Sequence, residues 1–262
     1  MNDLKGQWAL ILGASSGFGE AAGLELAKRG MNICGIHLDR KATLPNVERI
    51  VGEIHKAGAK AEFFNVNAAD EANRRQVIEG VGPKLHGKPF RTVMHSLAFG
   101  TLKPFVAEKP EDAITAPQLD MTLNVMANSL VYWVQDLFTR KLIARGSRIF
   151  AMTSAGGARI WPSYGAVSAA KAALESHIRQ LAVEFSPHGI AANALRAGVT
   201  DTPSLRKIPG NEEIVKMATE RNPGKRLTTT QDVANAIAAL SHDGIEWLTG
   251  NVISVDGGEF IV

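Results

Sequence analysis

The chain has 262 residues, 45% of them apolar and 21% charged, which is ordinary for a folded protein with a substantial core. Lys and Arg number 29 against 26 Asp and Glu, a net charge of +3; a balance this slight, with no basic run or zinc-finger spacing, excludes a nucleic-acid partner from the reading. No apolar run reaches the roughly 20 residues needed to cross a bilayer, and the start has no apolar signal core, so a soluble cytoplasmic protein with no membrane role is expected.

Short apolar segments alternate with longer helical ones along the whole chain. Strands are expected at 8–12, 32–38, 61–66, 91–97, 148–153, 190–195 and 251–255. Helices are expected at 19–29, 45–57, 71–81, 119–142, 163–185 and 232–240, the first two ended by Gly30 and Gly58. Strands this apolar read as buried on both faces, which implies a parallel sheet covered by helices. The alternation gives one doubly wound α/β domain over 1–262, with ligand sites at the carboxyl ends of the strands. The least regular stretch, 199–226, holds Pro203, Pro209, Gly210, Pro223 and Gly224. It reads as a lid carrying a short helix, with Asn211 as N-cap and Glu212 and Glu213 in the first turn. The single cysteine, Cys34, sits in an apolar run and reads as a small buried hydrophobe; one cysteine forms no internal disulfide.

The first strand runs into Gly13-Ala-Ser15-Ser16-Gly17-Phe18-Gly19 and then a helix. Glycines let the backbone turn sharply and let a pyrophosphate reach the free N–H groups of a helix start. The strand before and the helix after are what raise a glycine triplet above a tight structural turn. The spacing resembles the nucleotide loop of the short-chain dehydrogenase/reductase family, and the resemblance continues nearly to the end of the chain. Asn65-Val66 resembles the adenine-contact site, Asn124 falls on the family's helix asparagine, and Gly198-Val-Thr200-Asp-Thr202 is similar to the segment that holds the nicotinamide carboxamide. Val255-Asp256-Gly257-Gly258 matches the C-terminal signature. The resemblance implies a single Rossmann domain that binds NADPH or NADH.

The catalytic pair departs from the common Tyr-x-x-x-Lys. Four residues before Lys171 stands Val167, which has no proton to give, and the nearest phenol is Tyr164, seven residues before the lysine. Ser154, 17 residues before Lys171, falls where the family serine does. A Tyr-x6-Lys spacing resembles the enoyl-[acyl-carrier-protein] reductases of the superfamily, and His95-Ser96-Leu97-Ala98-Phe99 after the fourth strand is similar to theirs. That branch commonly has another tyrosine ten residues before the catalytic one; this chain has Ser154 there, which resembles the ketoreductase-like branch found in some bacilli. Seven residues is almost two helical turns, so both side chains are expected on one helix face, with the phenol drawn back by about 4.5 Å relative to the ketoreductase spacing. That retraction suits an enoyl thioester, on which charge develops farther from the carbon that accepts hydride.

The resemblance implies that Tyr164 meets the substrate oxygen, Lys171 bonds the nicotinamide ribose, Ser154 bonds the substrate oxygen or Tyr164, and Asn124 holds a water or braces the helix. His95 reads as structural, and no His/Cys cluster suggests a metal. Gly13, Ser15, Ser16, Gly17, Phe18, Gly19, Asn65, Val66, Ser96, Leu97, Ala98, Gly198, Thr200 and Thr202 complete the expected cofactor site. NAD-preferring members have an acid at the place of His37; Arg40 and Lys41 follow it and suit a 2′-phosphate, so NADPH is expected, with Asp39 arguing for NADH. An acidic acyl carrier protein is the expected partner, met by Arg206, Lys207, Lys225 and Arg226, and the family implies a homotetramer through the helices at 119–142 and 163–185. A carbonyl or hydroxysteroid reductase is the second reading, and a non-catalytic dinucleotide sensor the third.

Overall fold

The structure is a computed structural model that describes residues 4–262; the first three residues of the start weighed above lie outside it. Seven strands form one parallel sheet: β1 Trp8–Leu12, β2 Asn32–His37, β3 Ala61–Asn65, β4 Phe90–His95, β5 Arg148–Ser154, β6 Ala191–Ala197 and β7 Val252–Val255. Their order across the sheet is β3-β2-β1-β4-β5-β6-β7, with every pairing parallel. The chain reverses its direction of travel between β1 and β4, and at that switch the strand ends open a crevice. The helices are α1 Gly17–Lys28, α2 Leu44–Lys56, α3 Glu71–Val81, α4 Ala116–Leu123, α5 Ser129–Thr139, α6 Gly165–Phe185, α7 Asn211–Arg221 and α8 Thr230–Leu240.

Two apolar layers hold the sheet. On one face Leu10, Leu12, Val93 and Ile149 meet Val77 and Ile78 of α3, Leu130, Trp133 and Leu137 of α5, and Leu174 and Ile178 of α6. On the other, Ile11, Met94 and Phe150 meet Ala22 and Leu26 of α1, Ile50 and Ile54 of α2, and Val233 and Ile237 of α8. Helix α2 shows how the sequence does this: Val47, Ile50 and Ile54 recur on one buried stripe while charged residues face water. The central strands are buried on both faces as expected. The edge strands β3 and β7 are only half-buried, because an edge has a neighbour on one side alone. No helix among the described residues is long and apolar enough to cross a membrane.

Three local expectations are corrected. The long helix expected over 119–142 is broken: α4 ends at Leu123, a π-helical turn spans Asn124–Asn128, and α5 follows. The helix expected from residue 163 begins at Gly165, and Ser163, at φ +61°, is not helical. Asn211 is the first residue of α7 rather than its cap; the capping position is Gly210, in the left-handed region at φ +73°.

Candidate active site

The loop after β1 folds tightly on itself. A Cβ on Gly19 would lie 2.0 Å from the Gly13 carbonyl oxygen, so only glycine permits this turn. Gly13 lies against the backbone of Ser96 and the side chain of Leu97, and Gly17 against the methyl of Thr202. The loop, the segment after β4 and the segment after β6 therefore meet at one place. Ser16 caps α1 without a side-chain hydrogen bond, which leaves the first amides of the helix free for an anion. A close-packed glycine turn under open helix amides fits a dinucleotide pyrophosphate. Thr200 is buried and donates to the Gly198 carbonyl at 3.0 Å, which fixes the segment expected at the carboxamide. Phe18 packs into the apolar layer beneath the loop, and Ala98 lies exposed beyond it.

At the adenosine end, Asn65 holds the backbone of Asp39 from both sides: it accepts from the Asp39 N–H at 2.9 Å and donates to its carbonyl at 3.0 Å. Val66 continues the ladder by donating to the His37 carbonyl at 2.8 Å. His37 is buried and its Nδ1 lies 3.0 Å from the Asp39 carboxylate. Burial works to raise the Asp39 carboxyl, yet hydrogen bonds from Ser15, Thr43 and His37 outweigh it and hold the group below the ordinary aspartate range. Asp39 thus faces the phosphate loop. Arg40 and Lys41 are exposed and form no ion pair among the described residues.

The catalytic candidates converge above β5. Tyr164 is the N-cap of α6, its carbonyl accepting from the Ser168 N–H at 2.8 Å, so the phenol stands at the mouth of the helix that carries Lys171. It reaches this place through a turn: the Tyr164 N–H donates to the Trp161 carbonyl at 3.1 Å across Pro162 and Ser163. Proline at the second position and a positive φ at the third define a type II turn. Burial raises the phenol's pKa and the neighbouring Ser154 hydroxyl lowers it, with burial prevailing. The two hydroxyls are near but not aligned, since the buried Ser154 Oγ completes no hydrogen bond of proper geometry. Such an orphaned donor and acceptor beside a phenol fits a substrate oxygen. Tyr132, the other tyrosine, lies on α5 under the Arg74 guanidinium, which leaves Tyr164 as the phenol of the site.

Lys171 is buried and donates to the Met152 carbonyl at 2.7 Å. Burial pushes its ammonium down to about 8, against the opposing field of Glu175. Glu175, one turn further along α6, is clamped by the Thr153 hydroxyl at 2.7 Å. The sequence reading passed over Glu175, although its four-residue spacing from Lys171 was a usable signal. Asn124 opens the π-helical turn that packs on α6, and its side chain makes no hydrogen bond among the described residues. π-Turns concentrate at functional sites because they re-aim side chains. His95 is fully buried, with Nε2 2.9 Å from Ser129 Oγ, and burial followed by the Lys171 charge takes its pKa to about 3. Because Ser129 donates its own proton to the Val125 carbonyl, His95 must donate from Nε2. It is a neutral brace for the π-turn rather than an acid or base.

The basic residues expected to greet a carrier protein are partly spent. Arg206 pairs with Asp201 and Arg226 with Asp232, so only Lys207 and Lys225 are without an ionic partner among the described residues.

Residues 13–259 match the family described as enoyl-(acyl carrier protein) reductase. The chain belongs to the short-chain dehydrogenase/reductase superfamily. It is 33% identical to 1-cyclohexenylcarbonyl-CoA reductase of Streptomyces collinus, over 98% of this chain and 88% of that one. It is 28% identical to an NADPH-dependent aldehyde reductase-like protein of Arabidopsis thaliana, over 97% and 95% of the two chains. The solved enoyl-[acyl-carrier-protein] reductase of Aquifex aeolicus superposes with a TM-score of 0.85 at 22% identity, covering 99% of this reductase and 98% of that chain, which is a likeness of fold. As a superfamily member this reductase is an NAD(P)-dependent oxidoreductase.

Proposed function

We propose that this reductase uses NADPH to saturate the 2,3 double bond of 2-enoyl thioesters, as in fatty acid synthesis on acyl carrier protein. The observation that carries the reading is Tyr164 at the N-cap of α6, with Val167 buried where a ketoreductase phenol would stand. A bound nicotinamide would supply hydride to the β-carbon. Negative charge would then gather on the thioester oxygen, the Tyr164 hydroxyl would hydrogen-bond to that oxygen, and collapse of the enolate with a proton from solvent taken up at the α-carbon would complete the saturation. A phenol is protonated at neutral pH and burial raises its pKa further, so the donor is present when needed. Lys171 would hold the nicotinamide ribose while its charge favours negative charge on the phenol–substrate pair. Ser154 Oγ offers a second hydrogen bond to the same oxygen.

The S. collinus relative, by its name, acts on an enoyl group carried by coenzyme A, which supports the thioester chemistry and leaves the carrier as the finer question. The test is a substrate panel: crotonyl thioester on acyl carrier protein, the same acid on coenzyme A, and a set of ketones and aldehydes. Enoyl thioester turnover well above carbonyl turnover is expected. Ready carbonyl reduction with untouched enoyl thioesters would sink the proposal in favour of the second reading, which the aldehyde reductase-like relative and the Ser154 placement favour.

Cofactor preference rests on the adenosine end. Arg40 and Lys41 are free to take a 2′-phosphate, whereas Asp39 is already committed to His37, Ser15 and Thr43. Arg40→Ala is expected to lower kcat/KM for NADPH by roughly tenfold, the value of a charge-assisted hydrogen bond, and to leave NADH use unchanged. Wild-type enzyme that uses NADH at least as efficiently would reverse this assignment.

A further inference from the structure

The loop between Ser154 and Tyr164 touches the lid through the Trp161 side chain. The Trp161 indole N–H donates to the Pro209 carbonyl at 3.0 Å. The same ring lies against Gly210, where a Cβ would come within 3.3 Å of Trp161 Cζ2. Gly210 holds the left-handed conformation that starts α7, so the ring packs on the point where the lid helix begins. Helix α7 buries only Ala218, and so its seating depends on few contacts, of which this is one.

Trp161 is also the first residue of the type II turn that delivers Tyr164, because its carbonyl accepts the Tyr164 N–H. The turn is under load. Ser163 occupies the left-handed position at φ +61°, which normally falls to glycine or asparagine. A strained turn keeps its shape only while its surroundings enforce it. One side is enforced from the C-terminal tail, where Arg159 donates to the Phe260 carbonyl at 2.7 Å. The other is enforced by the lid, through Trp161.

We propose that Trp161 is a positioning residue that couples the lid to the catalytic phenol: seating of α7 against the indole holds the 161–164 turn, and the turn holds Tyr164. This rests on the reading that Tyr164 donates to the substrate oxygen, but it does not depend on whether that oxygen belongs to a thioester or a ketone. An acyl substrate that seats the lid thereby completes the site it reacts in, so that chemistry and closure are linked without any contact between Trp161 and the reacting atoms.

Trp161→Phe keeps a ring on Gly210 and removes the N–H. On whichever substrate the wild type turns over, kcat is expected to fall about fivefold, the value of one hydrogen bond, with the KM for NADPH and the Tm unchanged. Trypsin is expected to cut faster within the lid, at Arg206, Lys207, Lys216 or Arg221, in the presence of saturating NADPH. Unchanged kcat together with unchanged lid cleavage would overturn the coupling. A loss of kcat that tracks a loss of Tm would overturn it too, since that is the mark of a scaffold defect. If the wild type reduces ketones and not enoyl thioesters, the enoyl proposal fails while this one is still decided, by the cleavage rates and by kcat on the ketone.

Discussion

Tyr164→Phe is expected to lower kcat by 10²–10³-fold or more, the usual consequence of losing a positioned donor to a developing oxyanion. Few enzymes allow so clean a test. The other tyrosine, Tyr132, is on α5 against Arg74 and cannot substitute. Phenylalanine keeps the ring contact with Gly156 and the backbone bond to Trp161, so the Tm should hold while turnover collapses. Steady-state kinetics beside a thermal melt checks both. A variant that retains a third of wild-type kcat would remove the phenol from the mechanism. The ketoreductase spacing is not restored simply by adding Val167→Tyr. Val167 is 5% exposed and packs with Met126 and Ala170, and a phenol there must displace that cluster before it can reach a substrate.

The order of strands and helices was legible because buried parallel strands are nearly pure apolar runs, and the helices between them carry a one-sided stripe. The glycine loop was legible for a different reason: its residue types are dictated by close approach, and Gly19 has no alternative. The π-turn at Asn124–Asn128 was hidden because the apolar stripe runs straight through it, with Met126, Ala127, Leu130, Trp133 and Leu137 all buried and no glycine or proline to mark the break. The true start of that helix was marked and overlooked: Thr115 and Gln118 form a capping box, with Pro117 in the first turn. Pro162 disfavours helix at Trp161 but leaves a start at residue 163 open, so the later start of α6 at Gly165 was not marked in the sequence. The contacts that seat the catalytic loop had no local signal at all. Trp161 meets Pro209 at a separation of 48 residues and Arg159 meets Phe260 at 101, so only the folded chain brings them together.

If Lys171 acts as proposed, Lys171→Met is expected to cost roughly 10²-fold in kcat/KM or more, because it removes the group assigned to the nicotinamide ribose together with its charge. The same substitution should raise stability at pH 7. Lys171 is 6% exposed, and burial takes its pKa from 10.5 to about 8. Below pH 8 the ammonium is charged in both folded and unfolded chains, and the folded protein bears the whole cost of burying it. Between about 8 and 10.5 the unfolded chain binds more protons than the folded one, so wild-type stability gains with rising pH across that window. Methionine has the same reach and nothing to titrate. Its gain is reduced by the lost bond to the Met152 carbonyl, which leaves of order 1 kcal/mol, or about 2–4 °C in Tm, at neutral pH. The advantage should shrink as pH passes 8 and be gone by about 10.5, where the wild-type amine is neutral as well. Melting both proteins across that range reads the difference directly, since every other titrating group is common to the two. A variant less stable than wild type at pH 7, or a gap that does not change with pH, would show that Lys171 is not held at the expense of the fold. The closing gap would mark the lysine as a charge kept in place for the reaction, against the preference of the core around it.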